Sequence, residues 1–135
     1  MDNRETEFNE LSFYTLAHPD ASFIHQHIVD AYTAQTANEH TKSIALTFSL
    51  AGLYLYLEKN FTGKQVQLFH MYMSKNKRKW PAFILPETRG KITVSEVLAT
   101  SPGPQRDNMI RKWCKNVWEA YRENRQIVID LLDQY

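Results

Sequence analysis

The chain of 135 residues carries 16 basic and 15 acidic side chains, and 43% of its residues are apolar and 13% aromatic. This content excludes an intrinsically disordered chain and is enough to bury the core of one domain, so residues 1–135 are interpreted as a single domain. The one cysteine, Cys114, excludes an internal disulfide framework and a cysteine-based structural zinc site.

The first residues and the longest apolar run favour a cytoplasmic protein that does not enter the membrane. The chain begins with polar, mostly acidic residues and lacks the basic region and apolar stretch of a signal peptide. The longest nearly apolar run, Ile44–Leu57, is shorter than the roughly 20 residues that a membrane-spanning helix needs. It therefore predicts a buried core helix.

Helical spacing of apolar residues begins near the N-terminus. A first helix is predicted from about Thr6 to Ala17. His18-Pro19-Asp20 ends it, because the residue before a proline disfavours the helical backbone. Asp20 then caps a second helix, from about Ala21 to Ala37.

The middle of the chain predicts two further helices. The third begins at Thr41 or Lys42 and ends near Lys59, and its apolar residues on nearly every face indicate a central position. Thr62 and Gln65 are spaced as a capping box for the fourth, which ends near Lys75.

The segment from Asn76 to Lys91 is predicted to be irregular. Trp80-Pro81, Pro86 and Gly90 interrupt it, because proline removes a backbone donor and fixes the backbone angle. Its four large apolar residues favour a segment that lies across the bundle rather than a free loop. These residues are Trp80, Phe83, Ile84 and Leu85.

The C-terminal part predicts a short helix and a long one. Thr93 and Glu96 form a second capping box, which opens a helix to about Thr100. The last helix is predicted from Pro104 to about Asp133, because proline suits the first helical position. The fold class is therefore all-α, an antiparallel bundle of four or five long helices with one irregular proline-containing crossing segment.

Histidine and carboxylate side chains suggest a polar site at one end of this bundle. With a rise of about 1.5 Å per residue, antiparallel helices bring His25, His27, Glu58 and His70 to within about one helical turn of one another. Asp30 is added to them because it is three residues after His27 and shares its face of the second helix. Imidazole and carboxylate suit a divalent transition metal such as zinc, nickel or iron. No recognised metal-binding motif is present, and hydrogen-bonded core histidines are the alternative interpretation. The five residues are His25, His27, Asp30, Glu58 and His70.

Two charge patterns suggest partners instead. Residues 1–60 have a net charge of −5 and residues 61–135 a net charge of +6, which predicts a homo-oligomer formed through complementary surfaces. Neutralisation within one monomer is the alternative. A basic run beside an aromatic residue could also bind nucleic acid, with a solvated helix end as the alternative. That run is Lys75, Lys77, Arg78, Lys79 and Trp80.

The segment from His25 through Val29-Asp30-Ala31-Tyr32 to Gln35 resembles a signature of a bacterial family of small uncharacterised proteins. The resemblance covers about Leu11 to Tyr121 and implies a helical domain of unknown function, with no activity to carry over. Thr36 stands where relatives often have a histidine. The chain is also loosely similar to the metal-binding four-helix proteins of the DinB type, whose histidine spacing differs. Further similar residues are Gly52-Leu53, Glu58-Lys59, Trp80-Pro81, Arg89-Gly90, Thr93-Val94, Trp113-Cys114 and Val117-Trp118.

Overall fold

The computed structural model describes residues 3–17 and 22–135. Within these ranges the chain forms seven α-helices and one short 3₁₀ turn, and no strand. The predicted all-α bundle is confirmed. The helices are α1 (Asn3–Leu16), α2 (Ile24–Thr36), α3 (Ser43–Lys59), α4 (Gly63–Lys75), α5 (Val94–Ala99), α6 (Pro104–Ala120) and α7 (Arg125–Leu132), with the 3₁₀ turn at Arg122–Asn124.

The central helix is α3, which packs against α2, α4, α6 and α7. Between Leu46 and Leu55 every face of this helix carries buried residues, as its apolar sequence predicts. The hydroxyl of the buried Thr47 donates to the carbonyl of Ser43 at 2.6 Å, so this polar group is satisfied inside the helix. None of the helices in the described part of the chain is long and apolar enough to cross a membrane.

Helix α2 begins three residues later than the sequence predicts. Phe23, the residue before it, has a left-handed backbone with φ 45°, which is incompatible with a continuing helix. The carbonyl of Ser22 accepts the backbone N–H of Gly63 at 2.5 Å, and this contact joins the start of α2 to the start of α4. The predicted break at His18-Pro19-Asp20 and the predicted cap at Asp20 lie outside the described residues.

Both predicted capping boxes are present. The Thr62 hydroxyl accepts the backbone N–H of Gln65 at 3.1 Å, and the Gln65 side chain accepts the backbone N–H of Thr62 at 2.8 Å. The Glu96 carboxylate accepts the backbone N–H of Thr93 at 2.8 Å. These local patterns fix the starts of α4 and α5.

The prediction of one continuous last helix is wrong. Helix α6 ends at Ala120, and a 3₁₀ turn separates it from α7. The side chain of Asn124, only 1% exposed, accepts the backbone N–H of Ile84 at 2.7 Å and donates to its carbonyl at 2.8 Å. The turn brings Asn124 to the crossing segment and lets α7 pack against α3. This contact between residues 40 positions apart explains why helical spacing alone misses the break.

The segment from Asn76 to Lys91 has no regular secondary structure and crosses the bundle, as predicted. Phe83 and Leu85 are half-buried against the main core, and Trp80 is half-buried against a smaller cluster around Met73 and Leu131. The Trp80 ring meets Phe48 edge-on, with ring centroids 5.6 Å apart. Ile84 departs from the expectation, because 57% of it is exposed.

Trp80→Ala is expected to lower the free energy of unfolding by about 2 kcal/mol, because truncation of a fully buried aromatic residue costs about 3–5 kcal/mol and Trp80 is half-buried. Chemical denaturation measures this change. Ile84→Ala is the matched control from the same segment and should cost less than about 0.5 kcal/mol. An unchanged denaturation midpoint for Trp80→Ala, together with lost binding of a partner, would identify the segment as a recognition loop instead.

Candidate functional site

A buried histidine lies in the middle of α2. His27 is 3% exposed, and its ring stacks on Tyr56 with centroids 3.5 Å apart and an interplanar angle of 10°. The guanidinium group of Arg111 lies over the Tyr56 ring, with its central carbon 5.0 Å from the ring centroid. Burial lowers the pKa of His27 to about 3, and the positive charge of Arg111 contributes to the shift. The His27 ring is therefore neutral at physiological pH.

Asp30, one turn after His27, is also buried. Gln26 donates to its Oδ1 at 3.2 Å, while Oδ2 has no hydrogen-bond partner within the described ranges. Burial raises the pKa of Asp30 well above its usual range. A Cβ at position 52 would lie 2.0 Å from Asp30 Oδ2, so the carboxyl group occupies the space that Gly52 leaves on α3.

Cys114 on α6 lies against this pair. Its Sγ is 3.6 Å from the carbonyl of His27, and the residue is fully buried. Burial raises the pKa of the thiol, with the nearby Asp30 contributing. The thiol is therefore protonated and inaccessible, as is typical of an inert structural cysteine.

The structure does not bring the five predicted metal ligands together. His25 Nδ1 is 3.0 Å from the hydroxyl of Thr15 on α1, and His70 Nε2 is 2.8 Å from the carbonyl of Phe48 on α3. Within residues 3–17 and 22–135, no group of three or more His, Cys, Asp or Glu side chains could hold a metal ion. Similar height along antiparallel helices does not fix which way each side chain points, and here the faces differ.

Glu58, at the C-terminal end of α3, has a partner that is distant along the chain. The two oxygens of its carboxylate share the single Nε–H of Arg125, at 2.9 and 3.0 Å, and one of them also accepts from Arg125 Nη2 at 2.6 Å. Trp118 Nε1 donates to it at 2.8 Å. The pKa of Glu58 is lowered mainly by the hydrogen bonds from Arg125. This explains how an acidic residue is tolerated where the helix dipole disfavours it.

The residues of the predicted basic run differ in their surroundings: some contact other parts of the chain and others are exposed. Arg78 donates to the carbonyl of Gln134 at 3.1 Å and lies over the ring of Tyr135. The Trp80 ring is half-buried and meets Phe48 edge-on, so packing within the bundle already uses part of its surface. The exposed members of the run are Lys75, Lys77 and Lys79, together with Arg78.

A basic cleft of about 410 Å³ opens at the end of α3, beside α6 and the start of α7. Its residues are spread over about 70 positions of the chain, so no local sequence pattern marks it. The one sequence signal was the net charge of +6 in the second half. The residues that line the basic cleft are Leu57, Glu58, Arg111, Lys115, Trp118, Glu119, Arg122 and Arg125.

Several residues of the family resemblance hold the crossing segment to the bundle. The Gln35 amide donates to the carbonyls of Arg89 and Ile92 at 3.2 and 2.7 Å, and its oxygen accepts from Trp113 Nε1 at 3.0 Å. Arg89 in turn donates to the carbonyl of Ala37, just beyond α2. These contacts give the motif around Gln35 a structural role.

The fold and these contacts define an all-α bundle with a buried histidine–aspartate pair and a basic surface cleft. A family of unknown function, DUF5946, matches residues 5–122, and the chain belongs to this family. This confirms the resemblance to a family of unknown function and extends it slightly at the N-terminal end. No curated protein and no solved structure matches the chain, and the looser similarity to DinB-type proteins is not shown.

Proposed function

We propose that this protein is an interaction module that associates with a second copy of itself, with α1 of one copy packed on α4 of the other. The observation that carries the proposal is that two helices of opposite net charge each expose a face with apolar side chains. One face lies on the acidic helix α1 and the other on the basic helix α4.

The α4 face is an apolar stripe with a lysine at each end. Leu68, Met71 and Tyr72 are 54%, 51% and 45% exposed, and their spacing places them on one side of the helix. Lys64 and Lys75 continue the same side by one turn in each direction. The helix contains no acidic residue, so this face presents apolar surface within a positive field.

The α1 face has the complementary character. Phe13 and Leu16 are 79% and 53% exposed, and Glu10, three residues before Phe13, shares their side of the helix. Glu5 and Glu7 outweigh the one basic residue of the helix, so α1 carries a net negative charge.

Single exposed apolar residues are common on protein surfaces, but apolar side chains on successive turns form a patch that favours a contact. Within one copy α1 packs against α2 and α5, whereas α4 packs against α2 and α3. Opposite charges steer the two faces together, and burial of the apolar residues stabilises the contact. A two-fold dimer contains the contact twice, while a head-to-tail arrangement grows into longer assemblies.

The double substitution Leu68→Glu with Met71→Glu is expected to raise the dissociation constant of the assembly at least tenfold. A central contact residue contributes about 2 kcal/mol, and every 1.4 kcal/mol is a factor of about ten. Sedimentation velocity over a concentration series measures it. Ile84→Glu changes an equally exposed residue away from both faces and is the matched control.

Charge reversal separates association from folding. Glu10→Lys should weaken the assembly at low salt, and adding Lys64→Glu and Lys75→Glu should restore it. A wild-type protein that stays monomeric at all concentrations, at both low and high salt, would overturn the proposal. Assembly unaffected by the Leu68→Glu with Met71→Glu substitution would place the contact elsewhere and overturn it as well.

A further inference from the structure

The geometry points to a second function, independent of self-association: the basic cleft binds a small phosphorylated molecule. The charge of the cleft, the way its basic side chains are held and its size all favour such a ligand.

The cleft has an excess of positive charge. It is lined by four basic residues and two acidic ones, which leaves a net charge of +2. A phosphate monoester carries about −1.5 to −2 charges at pH 7, so it matches this excess in a single group. A monocarboxylate would neutralise only half of it.

Two of the arginines are held in place before any ligand binds. The carboxylate of Glu58 fixes Arg125 through the Nε and Nη2 contacts described above. Arg111 is positioned over the ring of Tyr56. Guanidinium groups suit phosphate because their donors form a planar fork, and side chains that are already ordered lose less entropy on binding.

The other two basic residues are available to a ligand. Lys115 and Arg122 are exposed, and no ion pair engages either of them in the described part of the chain. Lys115 lies one turn after Arg111 on α6, so the two share one wall of the cleft. Arg122 follows in the 3₁₀ turn, so the break between α6 and α7 helps to position it.

The volume favours a phosphate ester over free phosphate. About 410 Å³ is room for more than ten water molecules at roughly 30 Å³ each, which exceeds the needs of one phosphate group. Leu57 and Trp118 add apolar surface beside the basic groups. A phosphate with a small organic group attached would use both parts of the cleft.

Isothermal titration calorimetry with phenyl phosphate, inorganic phosphate and benzoate tests the inference. Phenyl phosphate should bind most tightly and benzoate most weakly, and the affinity for phenyl phosphate should fall as salt is added. The variant with Lys115→Gln and Arg122→Gln should lose at least tenfold in affinity. Lys112→Gln, on the same helix and outside the cleft, should stay within twofold of the wild type.

Three outcomes would overturn the inference. One is the absence of binding heat for phenyl phosphate at about 50 mM salt, a condition that favours such contacts. Another is unchanged affinity in the variant with Lys115→Gln and Arg122→Gln. The third is equal affinity for benzoate and phenyl phosphate. A single-stranded oligonucleotide that binds far more tightly than phenyl phosphate, and is lost in the same variant, would identify a nucleic-acid site instead.

Discussion

Gly52→Ala is expected to lower the free energy of unfolding by about 2–3 kcal/mol, although alanine is the better helix former by about 1 kcal/mol. The added Cβ would lie 2.0 Å from Asp30 Oδ2 and 3.2 Å from Val66 Cγ1. Asp30 is only 3% exposed, so its side chain is enclosed by other residues and has to displace them in order to move. Chemical denaturation of the purified variant measures the change.

The clash with Asp30 can be separated from other causes by a second substitution. In an Asp30→Ala background the carboxyl group is gone, and Gly52→Ala should become neutral or stabilising because only its helix propensity remains. The difference between the two backgrounds is the coupling between positions 30 and 52. An equal cost in both backgrounds would show that the close approach to Asp30 is not what excludes a side chain at Gly52.

The stability of the domain is expected to fall in acid through His27. Its pKa is lowered from 6.5 to about 3 in the folded protein, so below pH 6.5 the unfolded chain binds a proton that the folded protein does not. Stability is then lost as the pH falls from 6.5 towards 3. The pKa of Asp30 is raised, so its contribution has the opposite sign and weakens the fold as the pH rises above 3.8.

His27→Phe keeps a ring against Tyr56 and removes the titration. Between pH 7 and pH 4 this variant should lose about 3 kcal/mol less stability than the wild type, from a pKa difference of about 2.5 units at 1.36 kcal/mol each. Urea denaturation at a series of pH values measures the slope. His40→Gln, at a side chain that is 86% exposed, is the control. A slope unchanged by His27→Phe would contradict the buried, neutral state of this histidine.

The features of the fold that depend on local sequence were predicted well. The apolar residues on all sides of α3 and the capping boxes at Thr62 and Thr93 each act within a few residues, so the sequence shows them directly. The break after Ala120 was missed because its cause is the contact between Asn124 and Ile84. The irregular crossing segment was predicted, because proline limits the backbone whatever surrounds it.

The site was harder to predict than the fold. Helix rise gives the height of His25, Glu58 and His70 along the bundle, but it does not give the rotation of each helix about its own axis. Small rotations decide whether a side chain meets a ligand or a neighbouring helix, and Glu58 meets Arg125, 67 positions away. The basic cleft combines residues of α3, α6, the 3₁₀ turn and α7, and no local pattern contains that combination.

The end of α2 has a consequence for how the domain opens. Its carbonyls at Ala34 and Ala37 are bound by Tyr121, whose hydroxyl donates at 2.6 Å, and by Arg89. Helix ends normally fray on their own, because their last carbonyls are bound by water or by a local cap. Opening of the last turn therefore breaks the hydrogen bonds from Tyr121, the residue after α6, and from Arg89 of the crossing segment. Local opening at this end is therefore coupled to movement of the crossing segment and of the chain after α6. Gln35, in the same turn, strengthens the coupling through its bonds to Arg89, Ile92 and Trp113.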